Sequence, residues 1–303
     1  MARPKKLIQL YLTNLCNSHC KTCNIWKTTK RGMLEIPAEK VIDIIKEFPD
    51  ADYVFGGGEF TLYSDREFLL EYCDRNDISY TVLSNGINTE RLEDLLMQGH
   101  IENLTISCDG VNHDEIRGID GNLTNIKYLV KQWKDELNNL KISYTLSKFN
   151  ENTIDEDMQL FRDMGFEKIY FCLAQDMDLL KVGEESVSPQ QINVKKMLEY
   201  KDMLYDKDVQ FLYDYLWDKH RRCDSTQSVH TIYTNGDVVR CQSKLSSKVI
   251  GNIYKADFKS ILHYDAMSYE DMMKNAEEDV KLCPYNDECN LVCQRRYDYE
   301  DRI

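Results

Sequence analysis

Cys16, Cys20 and Cys23 fall within the stretch CNSHCKTC near the start of the 303-residue chain. A loop can turn three thiolates toward one point, so the spacing suits a metal. Tetrahedral zinc would want a fourth ligand, and His19 is adjacent but poorly placed for that in so tight a loop. An iron–sulfur cube accepts three cysteines when its fourth iron is left for something else, and an open metal position is a place for chemistry. Isolated structural thiols are the third alternative. The segment before the loop, MARPKKLIQLYLTNLC, has charges and only a short apolar run that alternates like a strand. That run fits neither a secretion signal nor a membrane helix. The chain therefore reads as cytoplasmic, and among reduced thiols a total of 11 cysteines points to metal or catalysis rather than to disulfides.

A second group lies near the other end: Cys223, Cys241, Cys283, Cys289 and Cys293. Five thiols are more than one four-cysteine site takes and fewer than two would need. One metal centre is expected there, an iron–sulfur cluster or zinc, since four thiolates suit either.

What must position the first loop is an alternation of short apolar runs with helical patterns. Strands are expected at 7–12, 53–57, 80–84, 103–107, 141–147 and 168–173, with helices near 39–48, 65–75, 89–97, 121–136 and 154–163. This spacing predicts an α/β fold with a parallel sheet, open or curled into a partial (β/α)6 barrel over residues 1–215. In such sheets chemistry gathers at the carboxyl ends of the strands. CNSHCKTC follows the first strand, GGGEF (56–60) the second, SNG (84–86) the third and SCDG (107–110) the fourth, so all four fall on one rim. A helix near 188–205 and a strand near 209–214 are expected to close this part. From about 216 to 303 the pattern changes to a small cysteine-rich α+β unit. Its HTIYTNGDVVRC (230–241) reads as a hairpin turning at Asn235-Gly236, with GNI (251–253) beyond it.

A Cys-x3-Cys-x2-Cys loop after the first strand, with Gly57-Gly58-Glu59 after the second, resembles the radical S-adenosylmethionine (radical SAM) superfamily. SCDGVNHDEIRGIDGNLTNIKYL (107–129) is similar to a block carried by its peptide- and sugar-modifying branches. Asn235-Gly236, Cys241 and Gly251-Asn252-Ile253 resemble the C-terminal extension called SPASM, or its shorter relative twitch. The resemblance implies a [4Fe-4S] cluster on Cys16, Cys20 and Cys23, with S-adenosylmethionine chelating the fourth iron. One-electron cleavage of that molecule would then give a 5'-deoxyadenosyl radical that abstracts hydrogen from a substrate. It implies that Gly57 and Gly58 admit the methionyl part and that Glu59 accepts from its ammonium. Ser84, Asn85, Ser107 and Asp109 become ribose or substrate contacts, with ordinary turns as the alternative reading. Arg117 becomes a partner for the methionyl carboxylate, or else a surface arginine. One auxiliary [4Fe-4S] cluster is implied on Cys223, Cys241 and two of Cys283, Cys289 and Cys293, as is a flavodoxin- or ferredoxin-like electron donor. Cys108, beside the rim motif, is a candidate hydrogen donor of the kind that epimerases of this family use. Thr22 stands where the family usually has an aromatic, and Phe60 where proline often follows the glutamate, which leaves the adenine contacts open.

Lys+Arg of 38 against Asp+Glu of 52 gives a net charge of -14, which repels a phosphate backbone and argues against a nucleic-acid partner. Dehydrogenation or epimerisation of a carbohydrate or aminocyclitol is expected first. Maturation of a ribosomally made peptide is the alternative, and a non-catalytic iron–sulfur electron carrier or redox sensor a reading of another class. Tyr170, Gln175, Asp214 and Tyr215, near later strand ends, are candidates for lining the pocket.

Overall fold

Period-two alternation puts Ile8, Leu10 and Leu12 on one face of the first strand and Gln9 and Tyr11 on the other. The computed structural model describes residues 6–30, 34–137, 139–174, 186–217, 229–239 and 249–262. There the first strand is β1 (Leu7–Thr13), followed by α1 (Ala38–Glu47), β2 (Asp52–Gly57), α2 (Arg66–Arg75), β3 (Tyr80–Ser84) and α3 (Thr89–Met97). β4 (Asn103–Ser107) leads to two helices, α4 (His113–Arg117) and α5 (Asn122–Trp133). β5 (Asn139–Leu146), α6 (Ile154–Asp163) and β6 (Tyr170–Leu173) complete six strand-helix steps. Strands β1 to β6 lie side by side in sequence order, every neighbouring pair parallel. The sheet ends at β6 without returning to β1, which makes a partial barrel, as expected.

The outer face carries the core. Phe55, Val82, Ile106, Ile142 and Phe171 are fully buried against helix stripes spaced at three and four residues, such as Leu92, Leu95 and Leu96 of α3 or Ile154, Met158 and Phe161 of α6. A parallel sheet packed on both faces reads as a continuous apolar run. This one alternates, and its inner face presents Gln9, Thr81, Thr105, Ser107, Ser143 and Thr145. Lys141 and Tyr170 lie on the same side, joined by a hydrogen bond of 3.1 Å from Nζ to the phenol oxygen. The concave interior therefore mixes these polar groups with Tyr11, Val54 and Leu83.

The expectation of a strand at 209–214 is overturned. After α7 (Gln191–Lys196) and a 3-10 stretch kinked at Tyr200, α8 spans Asp206–Leu216. Asp208, Phe211 and Leu212 are buried and Tyr215 is half-buried, a helical stripe that the strand-forming Val209, Phe211 and Tyr213 disguised. The start of α8 covers the open edge of the sheet, where Asp208 Oδ2 accepts the Phe171 N–H at 3.1 Å. The hairpin is present as β7 (Val229–Ile232) and β8 (Asp237–Val239), with Gly236 at φ 83°, and β9 (Val249–Asn252) pairs with β8. β7 also pairs in parallel with β1, so these strands continue the barrel sheet. No helix among the described residues is long and apolar enough to cross a membrane.

Candidate active site

Three strand ends stitch the cysteine loop in place. From β2, the Gly58 N–H donates to Thr13 O at 2.7 Å and the Glu59 N–H to Leu15 O at 2.8 Å. Gly57, at φ 125°, and Gly58 allow this approach, because a Cβ would lie 2.4 Å from Thr13 O at Gly57 and 2.1 Å from Leu15 O at Gly58. From β3, Asn85 Nδ2 donates to Asn17 Oδ1 at 2.8 Å. From the β4 side, the C-terminal carbonyls of α4, which have no partner inside the helix, accept from the loop. His19 N donates to Arg117 O at 2.9 Å and Lys21 N to Ile116 O at 2.8 Å. Gly118 ends that helix in the left-handed region at φ 68°, as a C-terminal glycine should.

Glu59 is 1% exposed and accepts four hydrogen bonds, three on one oxygen and one on the other. Oε1 accepts from Thr61 N (3.0 Å), Thr61 Oγ1 (2.9 Å) and Ser84 Oγ (2.9 Å), and Oε2 from Asn85 N (2.8 Å). Burial raises its pKa, and these four bonds work against the rise. The carboxylate thus locks the turn after β2 to the turn after β3.

Behind the next strand end, Arg117 Nε and Nη2 grip Asp109 at 2.6 and 3.1 Å, a bidentate pair that is almost wholly buried. Arg117 Nη1 lies 3.8 Å from Cys20 Sγ. The alternative of a surface arginine does not hold. Asp109 N donates to His113 Nδ1 at 3.0 Å, and burial above all lowers the pKa of this imidazole to about 4. Asp157 of α6 sits under Gly110, accepting from Val111 N at 2.7 Å and Tyr144 OH at 2.9 Å, and burial raises its pKa to about 7. Asn17, Ser18, His113 and Asp157 went unnoticed in the sequence, where nothing but their closeness to the rim motifs could have marked them.

The three thiols lie close enough to interact electrostatically with one another. Burial first, then the neighbouring Cys20, Glu59 and Cys23, raise Cys16 to about 12, and burial with Cys20 raises Cys23 to about 11. Backbone N–H groups point at two of the sulfurs, Ser18 at Cys16 and Ile25 at Cys23, and Arg117 at the third. Three thiols backed by donors fit a centre that must hold thiolate charge. Among the described residues no three His, Cys, Asp or Glu side chains close on a single ion position. Ser107 faces the inner side of the barrel, whereas Cys108 is fully buried in the core and its thiol is pushed up to about 12 by that burial. Cys108 is therefore corrected as a hydrogen donor, because no substrate on the inner face can reach it. Cys73 is in the core as well, while Cys172 lies half-buried on the inner face, with Ser143 Oγ at 3.7 Å. Cys223, Cys241, Cys283, Cys289, Cys293 and Gln175, and the side chain of Asp214, lie outside the described residues.

A partial parallel barrel with a three-cysteine loop bound to the glycine-glutamate turn defines a class of iron–sulfur radical enzymes. The radical SAM superfamily model matches residues 10–166 and the SPASM iron-sulfur cluster-binding domain model residues 223–293. The chain belongs to the radical SAM superfamily, and its cofactors are S-adenosylmethionine, a [4Fe-4S] cluster and an auxiliary cluster. No curated protein matches the chain. Among solved structures it is similar to Streptococcus suis SuiB bound to precursor peptide SuiA (TM-score 0.65, 15% identity), covering 86% of this chain and 65% of SuiB, less than two thirds of that longer protein. It is similar also to anSMEcpe with bound AdoMet and the Cp18Cys peptide (TM-score 0.66, 18% identity, 97% and 90% covered). BtrN in complex with AdoMet and 2-DOIA is a third (TM-score 0.50, 13% identity, 91% and 87% covered). At these identities the likeness shows the fold alone.

Proposed function

We propose that the chain cleaves S-adenosylmethionine reductively and abstracts a hydrogen atom from a polar small molecule, a carbohydrate or aminocyclitol, for dehydrogenation or epimerisation. The observation that carries the substrate class is the inner face of the barrel, where the partly exposed Thr81, Ser107, Ser143 and Thr145 offer hydroxyl groups to a hydroxylated ligand. When bound, the cluster supplies one electron and S-adenosylmethionine the radical that takes the hydrogen atom. Cys16, Cys20 and Cys23 hold the cluster. Gly57 and Gly58 keep the turn that carries Glu59 against the cysteine loop, and Glu59 Oε2, with one donor, retains capacity for the methionyl ammonium. Ser84 and Asn85 are fixed by Glu59 at the neighbouring strand end, and Asp109 with Arg117 holds the third side of the loop. Cys223, Cys241 and two of Cys283, Cys289 and Cys293 hold the auxiliary cluster, and a flavodoxin- or ferredoxin-like protein delivers electrons. In an epimerisation, Cys172 is the described thiol placed to return a hydrogen atom.

A second reading, maturation of a ribosomally made peptide, is favoured by the peptide-bound forms of SuiB and anSMEcpe, whose folds are more similar to this one than that of BtrN. Anaerobic reconstitution with iron and sulfide, followed by S-adenosylmethionine and dithionite, tests the core of the proposal through release of 5'-deoxyadenosine. No release under any condition sinks it. Panels of aminocyclitols and of short peptides then separate the readings, since only a true substrate accelerates release and carries deuterium from its labelled position into 5'-deoxyadenosine.

A further inference from the structure

Cys20 differs from its two neighbours in what touches its sulfur. The Cys16 and Cys23 sulfurs meet backbone N–H groups. Cys20 Sγ meets two side chains, Ser18 Oγ at 3.0 Å and Arg117 Nη1 at 3.8 Å. Arg117 has little freedom. Its Nε and Nη2 are committed to Asp109, its carbonyl is bound by the loop, and only Nη1 of the fork is left for the sulfur.

The protons of Ser18 can be counted. Its hydroxyl lies 3.0 Å from both Cys20 Sγ and Arg117 O, yet has one hydrogen to give. While Cys20 is a thiol, S–H donates to Oγ and Oγ–H donates to the carbonyl, so the three groups form a relay. Once Cys20 is a metal ligand its sulfur has no proton, and a hydroxyl still turned to the carbonyl would set oxygen lone pairs against a thiolate. Ser18 must then swing its proton to sulfur. The carbonyl is not orphaned by the swing, because the His19 N–H already donates to it at 2.9 Å.

We infer that Ser18 and Arg117 set the reduction potential of the radical-generating cluster through Cys20, by donating to one of its three thiolates. Donors to a ligand sulfur draw charge from the metal and favour its reduced state. Both are positioning residues that act through the ligand. The inference rests on the reading of Cys20 as a ligand.

The test is a redox titration of the reconstituted full-length holoenzyme followed by EPR, using the signal that responds to added S-adenosylmethionine so that the auxiliary cluster is left aside. Ser18→Ala removes one donor. Arg117→Gln in an Asp109→Asn background removes the other without leaving a buried carboxylate unpaired. Each variant is expected to shift the ratio of reduced to oxidised cluster about tenfold toward oxidised at fixed potential, ~59 mV more negative for a one-electron couple, with iron content unchanged. An unshifted or more positive midpoint in Ser18→Ala, with iron intact, overturns the inference even where the double variant fails to load. A wild-type protein in which no signal responds to S-adenosylmethionine overturns the reading of Cys20 beneath it.

Discussion

Gly56 and Gly58 are neighbours in one run of glycine, and the structure separates them sharply. A Cβ on Gly58 would stand 2.1 Å from Leu15 O and 2.7 Å from Leu15 C, both backbone atoms of the cysteine loop. The loop would have to retreat by about 1 Å, an overpacking that costs about 1–3 kcal/mol. Its retreat would also stretch the two hydrogen bonds from Gly58 N and Glu59 N, at about 1 kcal/mol each. The sum is about 3–5 kcal/mol against a total stability of about 5–15 kcal/mol, so Gly58→Ala should leave the barrel folded while freeing the loop. A Cβ on Gly56 would meet the Leu83 side chain at 3.3 Å, a methyl group that can turn aside. Gly56→Ala should cost less than about 1 kcal/mol. Urea denaturation gives the stabilities, and the iron content of the reconstituted protein tells whether the loop still binds. Gly58→Ala with wild-type iron and stability, or Gly56→Ala as damaging as Gly58→Ala, would refute the reasoning.

Glu59→Gln should lose about 1–3 kcal/mol, because an amide whose oxygen keeps the three donors on Oε1 must turn its NH2 against the Asn85 N–H; a denaturation midpoint equal to wild type would contradict it. Asp157 has its pKa raised to about 7 in the fold from an ordinary value near 3.8. The folded state therefore holds an extra proton between those values, and stability should fall as pH rises through this window. Asp157→Asn, which keeps an acceptor for Val111 N, should flatten that slope in melting curves taken from pH 4 to 8. His113 acts in the opposite direction, with a pKa lowered from 6.5 to about 4, so its contribution is full above pH 6.5 and is lost on acidification toward pH 4. Gly236→Ala should destabilise the hairpin by about 1–2 kcal/mol, since φ is 83° and the new Cβ would lie 2.4 Å from the Tyr254 ring, seen as a lower melting temperature.

Local features were legible in the sequence. Each of the six barrel strands is a short apolar run, the hairpin turn is Asn-Gly, and the four motifs at successive strand ends do share a rim. What the sequence could not show is which partner each rim residue takes. Gly57 and Gly58 look like room for a ligand, yet their small size first admits the backbone of residues 13–15. Arg117 reads equally as a surface residue because its partners, Asp109 and Cys20, are 8 and 97 positions away. Cys108 follows the inward-facing Ser107, and only the three-dimensional packing shows that it turns into the core. The segment at 209–214 failed for a different reason, since Val209, Phe211 and Tyr213 alternate like a strand although the helix buries only Phe211 of the three, beside Asp208 and Leu212.

The parallel pairing of β7 with β1 has a consequence for how the protein is made. β1 emerges first from the ribosome and receives β2 on one edge soon after, but its other edge waits for residues 229–232. At 5–20 residues per second that wait lasts about 10–40 s. During this time the strand that launches the cysteine loop exposes a row of unpaired backbone groups, the kind of edge that invites pairing with another chain. A slow or stalled ribosome prolongs the interval in which that strand edge is open to pairing with another chain.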